Sequence, residues 1–177
     1  MLFQKIKMNA MRNIRIEKIT LNVGAGKNQD VLKKGQKLIK SITGIEPVVT
    51  KTKKRIPAWG LRPGLPVGCK VTLRKENAKE TLRRLLSAKS NKLSLKQFDE
   101  EGNFSFGVHE YIDIPGAKYD PEIGMMGLEV TITLERPGFR VKKRRIGKAK
   151  VSKKHKITKE EAIQFVKNEF NVEVGDE

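Results

Sequence analysis

The densest chemistry in this sequence is positive charge without a counter-charge. Residues 48–74, VVTKTKKRIPAWGLRPGLPVGCKVTLR, hold seven Lys or Arg and no acid, with three Pro, three Gly and the chain's one Trp. Lys70, Thr72 and Arg74 alternate with Val71 and Leu73, so a strand here sends two cations and a hydroxyl to one face, roughly 6–7 Å apart. That spacing is close to the repeat of phosphates along a nucleic-acid strand, and each phosphate takes a charged donor or a hydroxyl. Thr50, Lys51, Lys53, Lys54, Arg55 and Arg62 precede that strand. Trp59 stands between Pro57 and Gly60, on a bend held by both. Its ring either stacks on an unpaired base or folds back on the sheet as a loop anchor.

A second run is more extreme. Residues 136–156, RPGFRVKKRRIGKAKVSKKHK, carry 11 Lys or Arg in 21 residues and no acid, most densely at Arg140, Lys142, Lys143, Arg144 and Arg145. Such a run repels itself, so it is expected to be poorly ordered alone and to order along a polyanion by releasing counterions. Glu129 and Glu135 make the outward side of the late strand less positive, so a sided protein is expected, with one edge on RNA.

Catalytic constellations are weak. GAGK, residues 24–27, is too short for a phosphate-binding GxxxxGK[ST] loop and is not GxGxxG; it reads as the turn into the next helix. His109 and His155 have no partner at metal-ligand spacing, and for His155, inside the basic run, a phosphate partner is expected before a metal. Cys69 falls on the apolar face of its strand and reads as an inert core thiol. Asp99, Glu100 and Glu101 read as turn residues, and so do Asp120 and Glu122. No cofactor, metal or enzymatic activity is expected. The competing readings are a free-standing RNA chaperone or regulator and an enzyme acting on an anionic small molecule at GAGK.

Composition supports an anionic partner. The 177 residues hold 38 Lys and Arg against 20 Asp and Glu, a formal charge of +18 and a sequence pI of about 10.1. At that charge compactness works against self-repulsion, which a bound polyanion relieves. One cysteine excludes an intrachain disulfide and fits a reducing, cytosolic setting. No apolar run approaches ~18 residues, and MLFQKIKMNAMRNIRIEK lacks the apolar stretch of a leader; no membrane partner is expected. The length suits a single domain over 1–177, with a core at 1–135, a basic segment at 136–157 and a terminal helix and tail at 158–177.

The elements that must position these residues follow from hydrophobic periodicity. Residues 14–23 alternate apolar and polar, with a slip between Ile16 and Ile19 that predicts a bulge or bend. Residues 28–43 show helical spacing, with Gly44 placed to cap the C-terminus. Residues 67–73 alternate as a strand. Asn77 and Glu80 have capping-box spacing and predict a helix over 78–88. Phe104, Phe106 and Val108, and then Leu128, Val130, Ile132 and Leu134, predict two further half-buried strands. Thr158 and Glu161 form a capping box ahead of a terminal helix. These patterns predict an α+β domain with a mainly antiparallel sheet, one face covered and one free.

KITLNVGAG (18–26), GIEPVVTKTKKRIPAWGLRPGLPVGCKVTLR (44–74), GNFSFGVHEYID (102–113), KYDPEIGMMGLEV (118–130) and RPGFRVKKRR (136–145) resemble a family of large-subunit ribosomal proteins. It is the family that binds 5S ribosomal RNA, protein five of its series. The likeness spans nearly the full length, and RPGF with its basic run and KHKITKEEA is similar to the archaeal and eukaryotic branch. The resemblance implies an antiparallel sheet with helices on one side, plus a basic C-terminal extension. It implies docking on 5S RNA in the central protuberance, beside the other 5S-binding protein and 23S ribosomal RNA. It also implies an approach to the P-site transfer RNA and to a protein of the small-subunit head. Asn22, Trp59 and Thr72 match positions linked to RNA binding in the family, and loop 57–66 matches the tip that points toward transfer RNA. Three positions depart from bacterial members: Ile45 replaces Gln, Trp59 replaces Phe and Pro63 replaces a polar or acidic residue.

Overall fold

Four of the alternating segments pair edge to edge in the computed structural model, which describes residues 9–175. The leader reading rests in part on residues 1–8 and the tail ends at 176–177; these lie outside the described residues. The strands are β1 (Arg15–Gly24), β2 (Val48–Lys51), β3 (Pro66–Leu73), β4 (Lys92–Ser94), β5 (Phe104–Val108), β6 (Leu128–Glu135) and β7 (Glu173–Gly175). Five form one sheet in the order β2-β3-β1-β6-β5, with every neighbouring pair antiparallel. β2, β4 and β7 are not predicted by periodicity; β2 pairs with β3 at the edge of the large sheet, and β4 and β7 form a small parallel pair. Three-residue strands carry too little pattern to be read from sequence.

The apolar row of each long strand is buried. Ile19, Leu21, Cys69, Val130 and Ile132 are all 0% exposed, and burial pushes the Cys69 thiol above its ordinary pKa. α1 (Gln29–Thr43) covers part of this face. Asn28 Oδ1 accepts from the Asp30 N–H at 3.1 Å to start α1, and Gly44, at φ 68°, ends it by donating to the Lys40 carbonyl, as predicted. Gly35 fixes how closely helix and sheet approach: a Cβ there would lie 2.9 Å from Val23 Cγ1 and 3.3 Å from Cys69 Sγ. An interior helical glycine costs about 1 kcal/mol against alanine, and here it admits the sheet.

α2 (Lys75–Ala88) begins earlier than the capping-box spacing of Asn77 and Glu80 predicts. Lys75 adopts a left-handed φ of 56°, which turns the chain directly out of β3 into the helix. Asn77 therefore lies inside the first turn, and the residue before the helix, Arg74, makes no side-chain cap. The predicted apolar row holds: Leu82 and Leu85 are 0% exposed. Each such side chain stabilises the fold by about 1.5–3 kcal/mol relative to exposure. α4 (Lys159–Phe170) has both halves of its predicted box, Glu161 N–H to Thr158 Oγ1 at 3.4 Å and Thr158 N–H to Glu161 Oε2 at 3.1 Å.

The basic segment is anchored to the core near its two ends, while residues 142–150 between them are exposed. Arg136 and Phe139 are 4% and 5% exposed, and the four-residue α3 (Arg140–Lys143) follows them. The Arg136 guanidinium donates to the carbonyls of Arg12 at 3.1 Å and Lys156 at 3.1 Å and pairs with Glu161 at 2.7 Å. A cation with its donors so satisfied can be buried, and it ties the two ends of the segment together. His155 is likewise engaged internally rather than offered to phosphate: its Nε2 lies 2.9 Å from the Pro137 carbonyl, and its ring meets Phe139 edge-on.

Candidate nucleic-acid interface

Strand pairing converts the outward residues into cross-strand rows. Lys70 stands opposite Asn22 on one side and Val48 on the other, and Asn22 stands opposite Glu129. The next row runs Thr72, Thr20, Thr131 and Ser105 across four strands. Lys70, Thr72, Ser105 and Thr131 are exposed and Thr20 and Asn22 half-buried, so this face lies open to solvent while the opposite face is core. Thr50 pairs with Gly68, in register with Lys70 two residues on, and Lys51 is exposed at the end of β2.

Sequence reasoning does not single out Thr20, Ser105 and Thr131. Their signal is present as the polar half of each alternation, but a row across four strands exists only once register is set. Hydroxyls donate and accept without carrying charge, so the row suits phosphate and ribose oxygens. Asn22 Nδ2 donates to Glu129 Oε2 at 3.3 Å, a bond that does not use its side-chain carbonyl.

Loop 52–65 is a built structure. Thr52 N–H donates to the Leu65 carbonyl and Gly64 N–H to the Thr52 carbonyl, both at 2.9 Å, and the Thr52 hydroxyl donates to the Arg62 carbonyl. Nearer the tip, Ile56 and Leu61 exchange bonds at 3.0 and 3.1 Å, enclosing a 3-10 turn at Pro57–Trp59. Gly60 closes that turn at φ 66°, a conformation that costs a residue with a Cβ. Trp59 is 68% exposed, so its ring does not fold back on the sheet and is open to solvent. Lys53, Lys54, Arg55 and Arg62 are exposed around it. GAGK is the predicted turn: the N–H groups of Ala25 and Gly26 both donate to the Val67 carbonyl.

The two basic concentrations lie at opposite ends of the sheet. The loop leaves β2 and enters β3 near the Gly24–Gly68 pair, whereas α3 reaches acids at the start of β1 and the end of β6. From Glu17 to Gly24 a strand rises roughly 23 Å. Lys143 lies 2.6 Å from Glu17 and 2.9 Å from Glu135, and Glu135 also takes Arg15 at 2.8 Å. Burial pulls the Lys143 ammonium down, but its hydrogen bonds to the two carboxylates outweigh this and hold its pKa above the ordinary value. Burial likewise raises Glu135, and the hydrogen bonds from Lys143 and Arg15 overcome it, leaving its pKa below the ordinary value.

Not every predicted cation is therefore equally available. Arg74 lies just past β3 and approaches Glu17 at 3.7 Å; Lys142 sits 4.8 Å above the Phe139 ring; Arg144 donates to the Gly147 carbonyl at 2.7 Å. Lys70, Arg140 and Arg145 are exposed and have no ion pair among the described residues. No cluster of His, Cys, Asp and Glu fit to hold a metal occurs among the described residues.

The family model for ribosomal protein L5 matches residues 9–62, and the model for the C-terminus of the same ribosomal family matches residues 66–165. The large ribosomal subunit protein uL5 of Nanoarchaeum equitans is 50% identical over 165 residues, covering 93% of this chain and 97% of that protein. The uL5 proteins of Sulfurisphaera tokodaii and Methanococcus maripaludis are 47% and 45% identical, covering 94% and 98% of this chain and 95% and 98% of their own lengths. With two family models meeting inside the presented loop and relatives aligned along almost the whole length, the chain belongs to the ribosomal protein L5 family.

Proposed function

We propose that this chain is a structural, non-catalytic constituent of the large subunit of the cytoplasmic ribosome, and that it binds 5S ribosomal RNA through the open sheet face. Asn22, Thr50, Lys51, Lys70 and Thr72 hold the RNA backbone, with Arg74 at the margin. The protein helps attach 5S RNA in the central protuberance, next to 23S RNA and the other 5S-binding protein. The loop carrying Trp59 and Arg62 reaches toward the P-site transfer RNA and a protein of the small-subunit head. Residues 1–177 act as one domain, since β2 and β3, on either side of the junction between the two family models, share one sheet.

The observation that supports this best is the pairing of an open, hydroxyl- and lysine-bearing sheet face with a hydrogen-bonded loop that holds Trp59 68% exposed. Charge supplies affinity for any polyanion, whereas a shaped surface supplies preference. The test is a salt-dependent titration against 5S RNA and a structured control RNA of equal length. Preference for 5S RNA that persists as salt rises supports the reading; equal binding that collapses for both RNAs ends it.

A further inference from the structure

β5 begins at Phe104, opposite Ile132, so Thr133 and Leu134 of β6 run on without a β5 partner. The basic segment crosses this gap and leaves a cavity of about 380 Å³. Sites for small ligands run from ~300 to 1,000 Å³, so the space suits one compact group. Its floor is apolar, made by Leu134, Phe139, Val151 and Ile157. Its rim is cationic, made by Lys142, Lys150, Lys153 and Lys156. The one acid lining it, Glu101, is already paired with Lys156 at 2.7 Å. Lys150 and Lys153 are exposed and have no ion pair among the described residues.

We propose that this cavity receives one unstacked nucleotide of an RNA strand, its base on the apolar floor and its phosphate on Lys142, Lys150 and Lys153. The proposal rests on the RNA-binding reading above and adds a site at the β6 margin of the sheet, next to the open face and distinct from the Trp59 loop. Two features favour a nucleotide over an acidic protein segment. Asn103 and Thr133 add an amide and a hydroxyl to the lining, and Asn103 Nδ2 uses one of its two N–H donors on Asp99 at 2.8 Å, which leaves the other and its carbonyl for the edge of a base. Lysines also line this small space, which suits the concentrated charge of a phosphate. Lys142 also lines the cavity, with its ammonium over the Phe139 ring.

The test titrates the full chain with two RNA hairpins identical except at one bulged position, a nucleotide in one and an abasic residue in the other, with all four bases tried. The phosphate is kept and only the base is removed. At least one bulged base is expected to bind about fivefold tighter than the abasic hairpin. Val151→Phe, which fills the cavity, brings that ratio to one and leaves affinity for the abasic hairpin unchanged. Val151→Ser, which removes the apolar floor without adding bulk, does the same and serves where Val151→Phe melts early. Lys150→Ala with Lys153→Ala weakens both hairpins. Equal binding of bulged and abasic hairpins by the unaltered protein overturns the cavity proposal and leaves RNA binding standing. Absence of salt-sensitive binding to either overturns both. Binding of an acidic, leucine-containing peptide that is lost in Val151→Phe, with the hairpins equal, assigns the cavity to a protein partner and also overturns the proposal.

Discussion

Glu17 and Lys143 are far apart in the sequence and meet at 2.6 Å. Glu17 is the extra residue of a bulge in β1: Ile16 pairs with Leu134 and Lys18 with Thr133, so nothing on β6 faces it. The slip in alternation between Ile16 and Ile19 thus has a use. It points an acid, only 10% exposed, at the basic segment and gives that segment an internal counter-charge.

Removing this counter-charge should loosen the segment. Lys143 keeps 41% of its side chain exposed, so solvent screens the contact, and Lys143→Ala is expected to cost about 1 kcal/mol rather than several. Denaturant midpoints read the loss. Trypsin cleavage within 140–156 should accelerate in the same variant, and an unchanged cleavage rate would show that Arg136 and Phe139 hold the segment unaided.

The same groups set a pH window. Glu135 and Glu161 both have lowered pKa values; for Glu161 burial opposes the shift, and the Thr158 N–H and Arg136 overcome it. A depressed carboxylate contributes stability above its unfolded value, about 4.3, and loses it as pH falls through the lower folded value. The raised Lys143 contributes below its unfolded value, about 10.4, and loses it as pH rises through the higher folded value. Thermal melts should show a plateau between these limits, with an acid limb flattened in Glu135→Gln. An acid limb of equal steepness in that variant would remove Glu135 from the account.

Lys70 and Arg74 should differ, although the alternation of residues treats them alike. Lys70→Ala is expected to reduce the slope of log affinity against log salt by roughly one phosphate. Arg74→Ala should change it less, because Glu17 already takes part of its charge. Equal slopes for the two variants would mean that RNA displaces the Glu17 contact.

Trp59→Ala separates recognition from folding. A ring 68% exposed contributes little to the core, so the melting temperature should hardly move. If the ring stacks on a base, affinity for 5S RNA should fall by about 1–3 kcal/mol with the salt slope unchanged. A drop in melting temperature with affinity intact would return the ring to a structural role.

Much of this molecule is local and can be read along the chain. Period-two alternation places Cys69 inward and Lys70 outward, the Thr158–Glu161 box starts a helix, and an acid-free run announces a polyanion, because each depends on residues a few positions apart. Long-range pairing is not written that way. Register assembles Thr72, Thr20, Thr131 and Ser105 into one row, a left-handed Lys75 overrides the cap suggested at Asn77, and folding-back buries Arg136 while Glu17 takes up Lys143. In each case the deciding partner lies on another element, and its charge or backbone acts only across a distance that the fold has closed.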